Sequence, residues 1–278
     1  RLERAFAKAK ADDRLAIVVY IMVGHPDRAA TASLLRAAVD GGADVIELGV
    51  PFSDPLADGT TVQRAGEAGL HAGVTLRDCI TEGASLVRDR DVPVLLMGYT
   101  NPFMQRGYER LADDLAAAGL SGVIIPDMPA EESAELDAAF TPRGLVRVDL
   151  YAPTTPDERL ATLLPRARGF VYCVSLTGVT GARQALGGET RELVARIRAH
   201  APVPIAVGFG IATPAHVRAL RDVADGVVIG SAVLDVIANA SPDTRARSLR
   251  TFVASLRDAG RRDTGAAGAD AAPSASRS

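Results

Sequence analysis

Long apolar runs are missing from this chain of 278 residues. No uninterrupted stretch approaches the ~18 residues that a membrane-crossing helix needs, so a helical membrane protein is excluded. The first ten residues are charged and contain no apolar signal core, which argues against export. Cysteine is nearly absent. Cys79 and Cys173 are the two present, and they lie too far apart in sequence for a metal-ligand spacing or a disulfide framework, as expected of a reducing compartment. The four histidines have no metal partner at helical spacing, and His71, His200 and His216 read as helix-surface residues. An excess of one charge is lacking too. A formal net charge of −3 gives no electrostatic reason to bind nucleic acid or an anionic membrane. These absences together predict a cytoplasmic protein.

What is there is ordinary for a globular chain. Hydrophobic residues make up 47% and charged residues 23%, enough to bury a large core. The length suits one α/β barrel domain of roughly 250 residues, assigned to 1–260. The stretch 261–278 is Ala, Gly, Ser and Pro with scattered charge. It has almost nothing to bury against its own ordering entropy, so it is predicted to be a disordered tail.

The dominant pattern is a short apolar run, a polar turn and an amphipathic helix, repeated. The runs span 17–23, 45–48, 94–97, 122–125, 146–150, 170–174, 205–207 and 226–229. They are rich in Val, Ile and Leu, and several are apolar at consecutive positions, as parallel strands buried on both faces are. Between and after them lie helical patterns. One covers 29–40 and stops at Gly41-Gly42, and another covers 110–118 and stops at Gly119. Others cover 190–199, 231–238 and 244–259, and Thr213-Pro214 reads as an N-cap followed by Pro at the first helical position. The first ten residues are helical in pattern. The predicted fold is therefore α/β, a (β/α)8 TIM barrel with an extra N-terminal helix. Its chemistry should sit at the C-terminal ends of the strands.

The densest chemical signal follows the second run. Glu47 interrupts an apolar strand, where an inward carboxylate is expensive unless it is paired or used. It is either satisfied by polar neighbours or a buried acid of raised pKa, able to exchange protons near neutrality. Asp58 sits in a loop stiffened by Pro51 and Pro55 and turned by Gly59. Alone it reads as a turn residue. Beside Glu47 it completes a possible acid/base pair in two different environments. Three glycine-bearing segments follow the last three runs: 175–181, 208–211, and Gly230-Ser231 opening a helix. Glycine lets backbone N–H groups approach a phosphate, and a helix N-terminus adds the favourable end of its dipole.

At these residues the chain resembles the tryptophan synthase alpha subunit family, over nearly its whole length. The segment Glu47-Leu-Gly-Val-Pro-Phe-Ser-Asp-Pro-Leu-Ala-Asp-Gly59 carries the resemblance most specifically. Gly24-His-Pro26, the stretch from Ile125 through Pro-Asp-Met-Pro, Gly178-Val-Thr-Gly181 and Gly208-Phe-Gly210 support it. The resemblance implies retro-aldol cleavage of indole-3-glycerol phosphate to indole and glyceraldehyde 3-phosphate. It implies Glu47 as general acid/base and Asp58 as the carboxylate facing the indole N–H. Tyr20, Tyr99, Tyr172 and Phe209 would line the substrate pocket, and Gly181, Gly210, Gly230 and Ser231 would form a phosphate cup. Loops 51–58 and 176–189 would be mobile, with Thr180 bonding Asp58 on closure. Asp54 would meet a beta subunit in an alpha2-beta2 assembly. Asp127 would sit near the substrate wall and partner face, although an Asx turn explains it equally well. No metal or cofactor is implied for this chain, and pyridoxal phosphate is expected in the beta subunit.

Three departures stand out: Thr60 where the family usually has Pro, His25 where it often has Asp, and Met22 where it commonly has Thr. Thr60 is expected to loosen the loop that carries Asp58. The same residues leave rivals open: a stand-alone indole-3-glycerol phosphate lyase, a binding subunit that has lost turnover, and another phosphate-binding barrel.

Overall fold

The computed structural model of the chain describes residues 1–174, 188–208 and 210–262. Helix α1 (Leu2–Ala11) precedes β1 (Ala16–Met22), then α2 (Arg28–Gly41) and β2 (Val45–Gly49). Two helices, α3 (Thr60–His71) and α4 (Leu76–Asp89), lead to β3 (Val94–Met97), and two more, α5 (Thr100–Arg106) and α6 (Tyr108–Ala118), lead to β4 (Gly122–Ile124). The chain continues through α7 (Ala134–Phe140), β5 (Val146–Tyr151), α8 (Asp157–Leu163), β6 (Val171–Val174) and α9 (Gly188–Arg198). It ends with β7 (Ile205–Gly208), α10 (Pro214–Ala219), β8 (Gly226–Ile229), α11 (Ser231–Asn239) and α12 (Arg245–Ala259).

The strands pair in sequence order, all parallel, and β8 closes onto β1, giving the expected (β/α)8 TIM barrel with its extra N-terminal helix. The strands fall within one residue of the apolar runs at every end. The predicted helix signals operate locally. Asp27 caps α2 through the Ala30 amide, and Gly42 and Gly119 end α2 and α6 in left-handed conformation. Thr213 caps α10, with Pro214 at its first position. Residues 263–278, most of the predicted tail, lie outside the described residues.

Side-chain parity along the strands builds two packed shells. Ile17, Val19 and Ile21 of β1 and Ile46 and Leu48 of β2 point outward to the helices. Val18 and Val45 point inward, with Leu95, Ile124, Val148, Tyr172, Ala206 and Val228. Helix α1 plugs the N-terminal mouth. Its Leu2, Phe6 and Ala9 join the interior shell, and the Phe6 ring lies 5.3 Å from that of Phe170. One end of the barrel is thus closed by apolar packing, and the chemistry is left to the other.

Candidate active site

Glu47 shares the inward parity of Val45 and pairs in register with Tyr20 of β1 and Leu95 of β3. Its residue is 1% exposed, and its Oε1 has no hydrogen-bond partner among the described residues. Burial, and then the charge of Asp58, push its pKa up to about 8. The reading of Glu47 as satisfied by polar neighbours therefore finds no support at Oε1, and a neutral carboxylic acid near pH 7 follows from the desolvation.

Asp58 approaches from the loop between β2 and α3. The Tyr99 hydroxyl accepts the Ala57 amide at 3.0 Å, and its ring stacks on Phe52 at 5.3 Å. The Gln63 side chain donates to the Asp58 carbonyl at 2.9 Å. Thr60 takes the first position of α3, where a proline would also fit. These two bonds hold the end of the loop at Ala57 and Asp58, and the Phe52–Tyr99 stack holds its start. Burial raises the Asp58 pKa to about 6, and the Tyr99 hydroxyl works against the rise. The two carboxyl groups are thus driven apart: near neutrality one is mostly protonated and the other mostly ionised.

Both carboxyl groups line one cavity of about 210 Å³ together with Tyr20, Met97, Tyr172, Gly210, Ala212, Gly230 and Ser231. Tyr20 and Tyr172 occupy equivalent settings. Each leans over a glycine two positions beyond its register partner on the next strand, Gly49 for Tyr20 and Gly208 for Tyr172, and a Cβ at either glycine would overlap the hydroxyl. Burial foremost, followed by the Glu47 charge, holds the Tyr172 hydroxyl far above its usual pKa, so it stays protonated.

Tyr99 reaches the cavity through Asp58: its hydroxyl accepts the Ala57 amide and hydrogen-bonds the Asp58 side chain. Asp127 does not close a local Asx turn with its side chain. Its Oδ1 accepts the Thr100 amide at 2.9 Å and the Thr100 hydroxyl at 3.0 Å, tying the loop after β4 to the start of α5. Asp54 is exposed on the β2–α3 loop and accepts the Ser53 hydroxyl at 2.5 Å. Thr180, Gly181, Phe209 and most of the loop 176–189 lie outside the described residues. Met97, Val62, Ile211, Ala212, Val228 and Ala232 line the cavity without having been singled out. For Met97 a signal existed: it follows Leu95 by two on β3, with the same inward parity. His216, read as a surface residue, is half-buried and in contact with Gly210 and Ala212. No cluster of three or more metal-ligating side chains occurs among the described residues.

A parallel barrel with a buried acid and an ionised partner in one cavity at its C-terminal rim is an enzyme of the acid/base class. The family model of the tryptophan synthase alpha chain matches residues 6–260. A tryptophan synthase alpha chain from Roseiflexus castenholzii is 48% identical over 259 residues, covering 92% of this chain and 99% of that protein. One from Geobacter sulfurreducens is 45% identical over 260 residues, covering 93% and 98%. A solved structure of Mycobacterium tuberculosis tryptophan synthase matches with a TM-score of 0.86 at 36% identity, over 94% of this chain and 98% of that one. The chain belongs to the tryptophan synthase alpha chain family, and its role is that of the lyase subunit; a stand-alone lyase is not favoured.

Proposed function

We propose that the chain cleaves indole-3-glycerol phosphate into indole and glyceraldehyde 3-phosphate in the cytoplasm and passes the indole to a beta subunit, within an alpha2-beta2 assembly. The observation that carries this reading is the shared cavity: a buried acid whose Oε1 has no hydrogen-bond partner among the described residues, an ionisable loop carboxylate and the glycines 210 and 230 with Ser231 all line it.

Indole is a poor leaving group as a carbanion. Glu47, protonated near neutrality, delivers its proton to indole C3. The positive charge this creates spreads to the ring nitrogen, where the Asp58 carboxylate accepts the N–H and stabilises it. The bond from C3 to the side-chain carbon then breaks. Its electron pair returns to the ring and gives neutral indole. The hydroxyl on the departing carbon loses its proton to the Glu47 carboxylate, now free to take it, and becomes the aldehyde. One proton is taken up and one released, so Glu47 ends the cycle as it began. Gly210, Gly230 and Ser231 hold the phosphate, joined by Gly181. Tyr20, Tyr172 and Phe209 enclose the ring. Thr180 closes over Asp58. No cofactor enters this chemistry; pyridoxal phosphate belongs to the beta subunit, where indole is consumed. Asp54 and the neighbouring Leu56, 95% exposed, are offered on the outside of the same loop and suit a partner contact that reports on the state of Asp58.

The test is indole release by the purified chain from indole-3-glycerol phosphate, alone and with a beta subunit. Slow release that rises on mixing supports the subunit reading. No release under either condition refutes the reaction.

A further inference from the structure

One imidazole supports the loop that follows β7. His216 lies on α10, and its Nδ1 is 3.0 Å from the Gly210 carbonyl oxygen. The same Nδ1 is 3.2 Å from the Ala212 amide nitrogen, placed to accept that N–H. The two bonds need opposite forms of one atom. A protonated Nδ1 donates to the Gly210 carbonyl and cannot accept. A bare Nδ1 accepts from Ala212 and has nothing to give Gly210. The imidazole starts from a fixed base. Thr213 accepts the His216 backbone N–H at 3.3 Å, Pro214 opens the helix, and the adjacent Val217 is fully buried. Gly210, at φ +74°, and Ala212 both line the cavity with Glu47 and Asp58.

We propose that His216 is a positioning residue for the phosphate-binding loop, and that a phosphoryl anion in the cavity selects the imidazole form protonated on Nδ1. This rests on reading Gly210 as part of the phosphate cup. A phosphate oxygen accepts a backbone N–H more strongly than a neutral ring nitrogen does, because the acceptor is charged. The anion therefore competes for the Ala212 N–H. Once that N–H is released, the neutral ring exchanges its one proton through water from Nε2 to Nδ1, and Nδ1–H donates to the Gly210 carbonyl. That bond directs the negative end of the carbonyl toward the imidazole rather than the anion. In the empty cavity the reverse form keeps the Ala212 amide satisfied. The loop thus has a partner for its exposed backbone groups in either state, and the anion is met by a donor already in place.

The test compares the full chain with His216→Ala and His216→Asn. Asn carries a donor and an acceptor near the position of Nδ1, so it can replace either bond. Each protein is titrated with glycerol 3-phosphate by calorimetry, and the wild-type imidazole nitrogens are followed by 15N NMR. Loss of one neutral hydrogen bond predicts affinity about fivefold weaker in His216→Ala and within about twofold of wild type in His216→Asn. KM for indole-3-glycerol phosphate should follow the same ranking, with kcat changed less than KM. On saturation the Nδ1 resonance should move to its protonated position. Unchanged affinity in His216→Ala, or an Nδ1 resonance that does not respond at saturation, overturns the proposal while leaving the phosphate cup standing. Failure of the wild-type chain to bind glycerol 3-phosphate overturns the cup itself, and this inference with it.

Discussion

The Tyr99 hydroxyl holds the Ala57 amide at 3.0 Å, one residue before the carboxylate of Asp58. The same hydroxyl acts on Asp58, opposing the rise in pKa that burial causes. Tyr99→Phe keeps the ring and its stack on Phe52 but removes both effects. The Asp58 pKa should rise further above its usual range. The acid limb of the rate profile should then move to higher pH, and stability should fall by about 1 kcal/mol for the lost bond. A rate profile superimposable on wild type would show that the hydroxyl does not tune Asp58.

The split between Glu47 and Asp58 sets the shape of that profile. Activity needs Asp58 ionised and Glu47 protonated. It should rise as pH passes about 6 and fall as pH passes about 8. The limbs belong to the pair rather than to either residue alone, because each charge acts on the other. Glu47→Gln removes the transferable proton and should cost roughly 10²–10⁴ in kcat, the range typical of a lost general acid. Binding of glycerol 3-phosphate should stay near wild type. Near-normal turnover in this variant would refute the acid/base role.

The eight strands were legible because runs buried on both faces leave little room for polar residues; Glu47 stood out within β2, whereas the charges within β5, Arg147 and Asp149, pair with each other. Helices α3 and α4 were not, for a packing reason. Their buried positions are Ala65, Gly66 and Gly69 in α3 and Cys79, Gly83 and Leu86 in α4. Gly69 presses so closely that a Cβ there would come within 2.7 Å of the Val23 carbonyl oxygen. Close approach through small residues leaves no stripe of Leu and Val to read. In the structure Thr75 and Asp78 form a capping box at the start of α4. The carboxylates and glycines of the site were legible because they interrupt regular patterns. The contact of His216 with Gly210 was not, since it depends on how α10 folds back on its own preceding loop.

Burying Glu47 also links its proton to stability. Its pKa is raised from 4.5 unfolded to about 8 folded. Between those values the folded chain holds a proton that the unfolded chain has lost. Stability from this group is therefore full below about pH 4.5 and lost as pH rises through about 8. Glu47→Gln has no proton to lose. Relative to wild type it should gain stability between pH 5 and pH 9, on the order of 3 kcal/mol after allowing for water entering the cavity. Thermal melts of both proteins at the two pH values measure it. Parallel shifts would mean that Glu47 titrates alike in both states.

Thr60 at the first position of α3 invites the opposite change. Proline suits that position, because its φ is preset and the missing N–H is one the helix does not use. Thr60→Pro should restrict the unfolded chain and stabilise by about 0.4–1 kcal/mol. The melting temperature should rise by a few degrees. A lower melting temperature would show that the loop before α3 needs the freedom Thr60 gives it.

Gly49 tests whether the tyrosines on the cavity wall depend on the bare backbone beneath them. A Cβ at Gly49 would overlap the Tyr20 hydroxyl and approach its ring carbon Cζ to 2.7 Å. The ring is 4% exposed and packed into the barrel mouth, so it cannot swing away without disturbing the cavity. Gly49→Ala should cost about 1–3 kcal/mol, as overpacking does, and should lower turnover by tilting Tyr20 toward the substrate. Adding Tyr20→Phe removes the hydroxyl overlap but keeps the ring carbon contact. The double variant should recover part of the stability and not all of it. Full recovery would assign the whole clash to the hydroxyl. No recovery would mean that the strain lies in the β2 backbone instead, and that the glycine is there for the strand rather than for Tyr20.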